Sequence, residues 1–581
     1  MATNARNTYA KNEVTTWSVP NYWDMLALML VLTVIISLGY GARAMLGHYE
    51  LGEAMPIYLS PVHLPYYALR TVLRMFIALS FSMLFTFVFG TWAAKSRHAE
   101  RIIIPMIDIL QSVPVLGYLS ITLVAFVVFF KGSMLGPECA AIFTIFTAQA
   151  WNMVLSFYQS VSNVPEELQE AARMFHLNAW QRFWRIEVPF AMPSLIWNMM
   201  MSMSGSWVFL VASEAISVAN KNIMLPGIGS YIDLAIKQQN TQALWWVILA
   251  MFLVVALYDQ LFFRPLVAWS EKFKPQESED EEYPESWLLN LFQRTRFFLI
   301  LGRLFSFLGD RIVNCRVTPK KAKRQVVKVR PWLNLLILVI WNVVLLLVIG
   351  YACYALYQFI FNTVSLPEAL HVSFLCLMTL CRIVVVLVVS SIIWVPVGVW
   401  IGSRPKVSAV VSPIAQFLAA FPINLLFPVM AMWILRYHLN VNIWCSPLMV
   451  LGTQWYILFN VIAGSSAQPK QLRNAVNSLH VSGWLKWRKF ILPGIFPYYI
   501  TGAITAAGGA WNISIIAEAI EWGTHHLNAV GIGAYITEVS MHGDFPKLAL
   551  GISVMSIFVL VINRVFWRPL YNLAQERYQI Q

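Results

Sequence analysis

Apolar runs of about twenty residues recur along the whole of this chain. That is the length a helix needs to cross a hydrocarbon layer ~30 Å thick. No water reaches backbone groups inside lipid, so each run predicts an α-helix that satisfies its own N–H and C=O groups. Six runs come first, at about 25–46, 70–94, 104–130, 138–160, 192–216 and 243–263. A polar stretch follows, and then six more runs at about 332–358, 374–401, 408–435, 443–463, 497–519 and 547–567. The pattern predicts an all-α polytopic membrane protein of about 12 spans. Its expected divisions are a tail at 1–20, a first membrane domain at 21–265, a linker at 266–331, a second membrane domain at 332–570 and a tail at 571–581.

The two sets of runs repeat each other. Arg74 and Arg382, Gly90 and Gly398, Trp92 and Trp400, and Pro114 and Pro422 pair at a constant offset of 308. Further on, the offset settles at 304 for Trp151/Trp455, Pro165/Pro469, His176/His480, Trp207/Trp511, Glu214/Glu518, Gly227/Gly531 and Gly229/Gly533. Compositional bias aligns apolar letters by chance, but not Trp, Pro, His and Glu at fixed offsets. Each half has six spans in the same in/out order. The repeat is therefore parallel, with its pseudo-two-fold axis along the membrane normal and the natural pathway between the halves.

Charge orients the spans. Lys95, Arg97, Arg101, Arg173, Arg182 and Arg185, and in the second half Arg404, Lys406, Arg473, Lys486, Arg488 and Lys489, fall in one alternating set of loops. The opposite loops at 47–65 and 359–372 have no Lys or Arg. By the positive-inside rule both termini and the linker face the cytoplasm. The linker carries an acidic run at 277–282 and a basic run at 320–324. Between them Leu291, Phe298, Phe305 and Ile312 recur every seven residues opposite Arg296, Arg303 and Asp310. This predicts an amphipathic helix on the inner membrane surface, in contact with lipid.

Composition agrees. The chain is 59% hydrophobic and only 12% charged, about half the charge of an ordinary soluble domain. The net charge of +13 sits in loops and linker, as topology demands, so it does not argue for nucleic acid. The N-terminal tail is polar, with no short apolar stretch ending at a small-residue cleavage site, so no removable signal peptide is expected. The six cysteines form no CxxC or Cys/His set, so neither disulfides nor a metal site are expected.

The most specific segments lie between the fourth and fifth spans of each half. One reads Glu170-Ala171-Ala172-Arg-Met-Phe-His176, then Ile-Glu-Val-Pro189; the other reads Asn474-Ala475-Val476-Asn-Ser-Leu-His480, then Ile-Leu-Pro493. Leu168, Ala171, Ala172 and Phe175 make an i, i+3, i+4, i+7 apolar stripe. Both segments resemble the EAA loop of ABC importer permeases, in which EAA is followed by three residues, a Gly, and a hydrophobic-Leu-Pro ending. The resemblance implies a fused permease of a type I importer in a bacterial inner membrane. It also implies two copies of an ABC ATPase docked on the loops and an extracytoplasmic solute-binding protein on the opposite face. This chain departs from the pattern at His176 and His480, which replace the Gly, at Asn474, which replaces the Glu, and at Val476. No GxxxxGK[ST] phosphate loop is present, so ATP and Mg are expected in the partner ATPase and no cofactor in this chain, which is not expected to be an enzyme.

Glu214 and Glu518 end the fifth span of each half. Around them Trp207…Ala-Ser-Glu214…Gly227-Ile-Gly229 and Trp511…Ala-Glu518…Gly531-Ile-Gly533 resemble the nitrate, sulfonate, taurine and bicarbonate permease branch, which implies a small anion as solute. Two roles stand for the glutamates: accepting hydrogen bonds from the other half or capping a turn before the Gly loop, or lining the pathway. The first is preferred, since a carboxylate repels anions. Arg74 and Arg382 either attract an anion at the outer mouth or snorkel to the outer interface. Trp207 and Trp511 are expected to pack at the half–half interface, and Met199 to Met203 to plug the pathway or fill the core. The rival class is a 12-span secondary transporter with a 6+6 repeat, which needs no ATPase. A membrane enzyme finds no HExxH, His box or nucleophile elbow in its favour.

Overall fold

Four long apolar helices occupy each half in the same order. The computed structural model describes residues 56–218, 221–273 and 331–578, with scattered positions between 25 and 45 and between 287 and 314. In the first half the long helices are α1 (Pro61–Lys95), α4 (Leu135–Ser162), α6 (Ala179–Glu214) and α8 (Thr241–Ser270). In the second they are α10 (Leu366–Gly402), α13 (Val441–Ser466), α15 (Gly483–Ala517) and α17 (Phe545–Arg577). Among the described residues these eight are long and apolar enough to span a membrane, or ten spans if each bent pair below counts as one. Helix α9 (Pro331–Phe361) stands where the seventh run predicts a span. The first predicted run lies mostly outside the described residues. So do the acidic and basic runs of the linker and most of its predicted amphipathic helix.

The third predicted span of each half is not one helix. The first half has α2 (Arg97–Ser112) and α3 (Val115–Phe129), bent by 97°. The second has α11 (Pro405–Ala420) and α12 (Ile423–Tyr437), bent by 73°. The cause is local. Val113 and Phe421, each before a proline, take extended ψ of 124° and 125°, because the proline ring disfavours a helical residue ahead of it. The bend also has a tertiary use. Helix α3 packs on α15 and α17 of the other half, and α11 packs on α6. The bent pairs thus lie between the halves, and each half lends one to its neighbour.

Shorter elements complete each repeat. Helix α5 (Glu166–Met174) and helix α14 (Lys470–Ser478) follow the fourth spans. After α6 come the hairpin β1 (Ala215–Val218) and β2 (Lys221–Met224) and helix α7 (Ile228–Lys237). After α15 come β3 (Ala519–Trp522) and β4 (His525–Asn528) and helix α16 (Ile532–His542). Both hairpins are antiparallel. Helices α5 and α14 lie at one end of the long helices and the hairpins at the other. These ends are called the loop face and the hairpin face below.

Candidate functional site

The loop-face helices are built alike. Helix α5 ends with Phe175 as its cap and His176 just beyond it, in the left-handed region at φ 48°. The His176 N–H donates to the Arg173 carbonyl at 3.0 Å and the Leu177 N–H to the Ala172 carbonyl at 3.0 Å. These two bonds define a Schellman ending. Helix α14 repeats it: His480 has φ 51°, its N–H donates to Asn477, and the Val481 N–H donates to Val476. Each His therefore takes the backbone conformation that the resembling family gives to Gly, and the turn is kept.

Further along each loop, Phe183–Glu187 and Trp487–Ile491 each form a turn of π-helix. Pro189 and Pro493 stand at the second position of the α-helix that follows. A proline lacks the N–H for the i−4 carbonyl and crowds it, and widening the turn accommodates this. On α5, Ala172 is buried, whereas Leu168, Met174 and Phe175 are exposed; on α14, Leu472 and Leu479 are exposed. Ala171 is half-buried, and Glu170, Asn474, Ala475 and Val476 lie on the same loops at the positions the repeat predicts. Two equivalent helices thus present apolar side chains outward.

Their anchoring differs. In the first half the buried Glu187 receives Lys95 at 2.7 Å and Arg182 at 2.9 Å. In the second, Arg473 donates to the carbonyls of Ser403 at 3.3 Å and Ser465 at 3.0 Å.

Toward the hairpin face, the Glu214 carboxylate is fully buried. It accepts from the Gly229 N–H at 2.7 Å, from Thr71 Oγ1 at 2.8 Å and from Arg74 at 2.6 Å. Gly229 is the second residue of α7, so the carboxylate caps that helix and meets the positive end of its dipole. Glu518 does the same for α16 through Gly533 at 2.7 Å, Thr379 at 2.8 Å and Arg382. The Gly-Ile-Gly motifs now have a reason. A Cβ on Gly227 or Gly531 would land in the capping carboxylate, and one on Gly229 or Gly533 would strike the backbone of the preceding helix.

Both sequence-based readings of the arginines are corrected. Arg74 neither snorkels nor faces the outer mouth. Its side chain is wholly buried and held by Glu214 and by Glu138 at 2.6 Å. Arg70 also meets Glu138, at 2.5 Å, so two arginines and two glutamates neutralise one another. Arg382 is 8% exposed and pairs with Glu518. Burial without such pairing would be expensive for each ion. Of the two roles for the glutamates, turn capping is the observed one, and the partners come from their own half. Trp207 is buried with its ring edge-on to Tyr258 of the same half, and Trp511 is buried near the equivalent position of α15. Met199, Met200 and Met203 are buried in the core.

The sequence reading missed Arg70, Thr71, Thr379 and Glu138. Glu138 had a signal, as a carboxylate at the head of an apolar run. The threonines match at the 308 offset.

Two cavities lie between the halves. The one nearer the hairpin face, about 260 Å³, is lined by α3, α6, β1, α7, α12, α15, β3 and α16, including Ser120, Asp233, Glu521, Thr537 and Ser540. The one nearer the loop face, about 350 Å³, is lined mainly by α6, α10, α12, α13 and α15. Between them Asn424, at the head of α12, donates to the Val208 carbonyl of α6 at 3.0 Å. This bond crosses from one half to the other where Ile423, Phe427 and Ile513 crowd the path. Val115 N–H to Asn512 at 2.7 Å and Gly523 N–H to the Ile236 carbonyl at 3.1 Å also join the halves.

A duplicated bundle of membrane helices with a central path, two outward-facing loop helices and capped hairpins has the form of a transport channel. Residues 86–264 and 394–568, together more than half of the chain, match the family described as binding-protein-dependent transport system inner membrane component. The chain belongs to that family, which is a transport component of ABC importers and not an enzyme, and it is an inner-membrane protein. It is 26% identical over 249 residues to the trimethylamine N-oxide transport system permease of Pelagibacter ubique, covering 42% of this chain and 31% of that one. It is 23% identical over 197 residues to the nitrate import permease of Synechocystis, covering 32% and 69%. It is 26% identical over 176 residues to the bicarbonate transport system permease of Synechocystis, covering 30% and 59%.

Proposed function

We propose that this chain alone forms the translocation pathway of an ATP-driven importer, with its two halves doing the work of two permease subunits. ABC ATPase subunits dock on α5 and α14, which face the cytoplasm with both termini. ATP and Mg are held by those subunits, and a solute-binding protein docks on the hairpin face. The observation that carries this reading is the pair of loop-face helices. They present Leu168, Met174 and Phe175, and Leu472 and Leu479, to solvent on turns of closely matching backbone geometry. An amphipathic helix of this kind fits a groove on a partner. Nucleotide-driven closure of an ATPase pair would move α5 and α14 together. Because each runs through a π-turn into the fifth span, the movement would pass to the half–half contact at Asn424. Opening and closing are then a two-state equilibrium biased by nucleotide.

The solute is small. Relatives named for nitrate and bicarbonate agree with the anion implied by the Gly-loop resemblance, and a relative named for trimethylamine N-oxide widens the range. The test is purification from native membranes in mild detergent with identification of the co-purifying proteins. An ATP-binding cassette protein at about two copies per chain, absent from the Phe175→Glu plus Leu479→Glu variant, supports the proposal. Both positions are exposed, so the variant chain itself should purify intact. A chain that purifies intact without any ATPase would overturn the proposal.

A further inference from the structure

We infer that the solute is a small methylated-ammonium compound rather than a bare anion. This rests on the importer reading above and on the chemistry of the path between the halves.

The two arginines with which an anion could have been attracted are not available. Arg74 is buried between Glu138 and Glu214, and Arg382 is closed on Glu518. Among the described residues, the cavity nearer the hairpin face has no Lys or Arg in its lining. It has two carboxylates, Asp233 from the first half and Glu521 from the second, with the hydroxyls of Ser120, Thr537 and Ser540. Lys237 pairs with Asp233 at 2.8 Å and neutralises it, whereas Glu521 faces His526 at 3.4 Å, a contact charged only when the imidazole is protonated, so with a neutral imidazole the wall keeps a net negative charge. A cavity lined this way attracts a positive head and repels a small anion.

Among the described residues, the cavity nearer the loop face has no charged residue in its lining. Six aromatic side chains contribute to its wall: Phe209, Trp394, Phe421, Trp455, Tyr456 and Phe459. Trp394 and Trp455 lie 5.8 Å apart, centroid to centroid. The Trp394 N–H is spent on Gln454 at 2.8 Å, so it is not free to donate to an anion. An anion would meet the negative face of these rings, whereas a methylated ammonium is attracted to it.

The wall is not a by-product of the duplication. At the repeat offsets Trp394, Phe421, Tyr456 and Phe459 stand where the first half has Thr86, Val113, Asn152 and Leu155. Four positions of one half have become aromatic around the cavity, and the matching positions of the other half have not. Gly205 on the facing helix leaves room for the Tyr456 hydroxyl, which a Cβ there would meet at 2.7 Å.

The test uses cells that express the chain with its own ATPase and binding protein, and measures uptake of labelled glycine betaine, choline and trimethylamine N-oxide beside nitrate, bicarbonate and taurine. Uptake of at least one methylated probe is expected, competed by the other methylated probes and not by the anions. Trp455→Leu should raise the half-saturating concentration about thirtyfold, the scale of a single cation–π interaction in a dry site. Trp455→Phe, which keeps an aromatic face, should retain most uptake, which separates solute binding from folding. Failure to take up any methylated probe overturns the inference, whether or not an anion moves, and so does methylated uptake that is indifferent to Trp455→Leu. The importer reading stands or falls separately, on ATPase co-purification.

Discussion

Arg74 lies between two carboxylates, 2.6 Å from Glu214 on one side and 2.6 Å from Glu138 on the other, with its side chain shut away from solvent. It ties α1 to α4 and to the end of α6 at once, and the cap of α7 depends on the same Glu214. Removing a buried partner costs about 3–5 kcal/mol, because the charge left behind is uncompensated. Arg74→Met should therefore lower the melting temperature in detergent strongly. Adding Glu214→Gln should recover part of the loss, since one orphan charge is removed. Size-exclusion thermal melts check this, and a single variant as stable as the parent would sink the assignment.

Glycine spacing gives a second prediction. Gly227→Ala and Gly531→Ala place a methyl group inside a capping carboxylate and should prevent recovery of folded protein. Gly508 sits in helix α15 with nothing within 4 Å of an added Cβ. Gly508→Ala should be neutral or stabilise by about 0.5–1 kcal/mol from helix propensity. Recovered monodisperse protein from the three variants decides the matter.

The left-handed histidines predict a sign. A side chain in that conformation costs roughly 1–2 kcal/mol, and glycine relieves it while giving back part of the gain as unfolded-chain entropy. His176→Gly should strengthen the end of α5 by about 0.5 kcal/mol, and His176→Val should weaken it. Hydrogen exchange of the Leu177 amide, bonded to the Ala172 carbonyl, reads both. Faster exchange in the glycine variant would contradict the strain argument.

Among the described residues, only the first loop is pinned by an ion cluster. Glu187→Gln keeps the shape of the side chain but weakens its hold on Lys95 and Arg182. The proposed function then predicts ATP hydrolysis less tightly linked to uptake, with the ATPase still bound. Arg473→Gln probes the second loop through its two carbonyl bonds and should act independently. Uptake per ATP in reconstituted vesicles distinguishes coupling from assembly.

The Asn424–Val208 bond joins the halves between the two cavities. Asn424→Ala should let the halves part more readily there. A cysteine placed at Val208 should then react faster with a water-soluble maleimide than it does beside Asn424. Unchanged labelling would mean that packing by Ile423, Phe427 and Ile513 holds the constriction alone.

Much of this was legible from one sequence. Run length and charge sufficed for the helices, because lipid forces backbone self-satisfaction whatever the tertiary contacts. The matched Trp, Pro, His and Glu showed the duplication and both loops. The departures His176 and His480 were visible as letters. That they keep the glycine geometry was not, because φ is set by the turn and not by the side chain that tolerates it.

Sequence alone thus determined the class, the repeat, most of the spans and the position of the loop helices, since these follow from local periodicity and from copying. Tertiary structure decided the rest. It broke the third spans at Val113 and Phe421 and slid the pieces between the halves. It turned Arg74 and Arg382 from surface candidates into buried counter-ions, and it gathered Phe209, Phe421 and Trp455 around one cavity. Each outcome depends on which side chain meets which across hundreds of residues of chain. A hydropathy pattern records how much a position prefers to leave water, but not what it meets when it does.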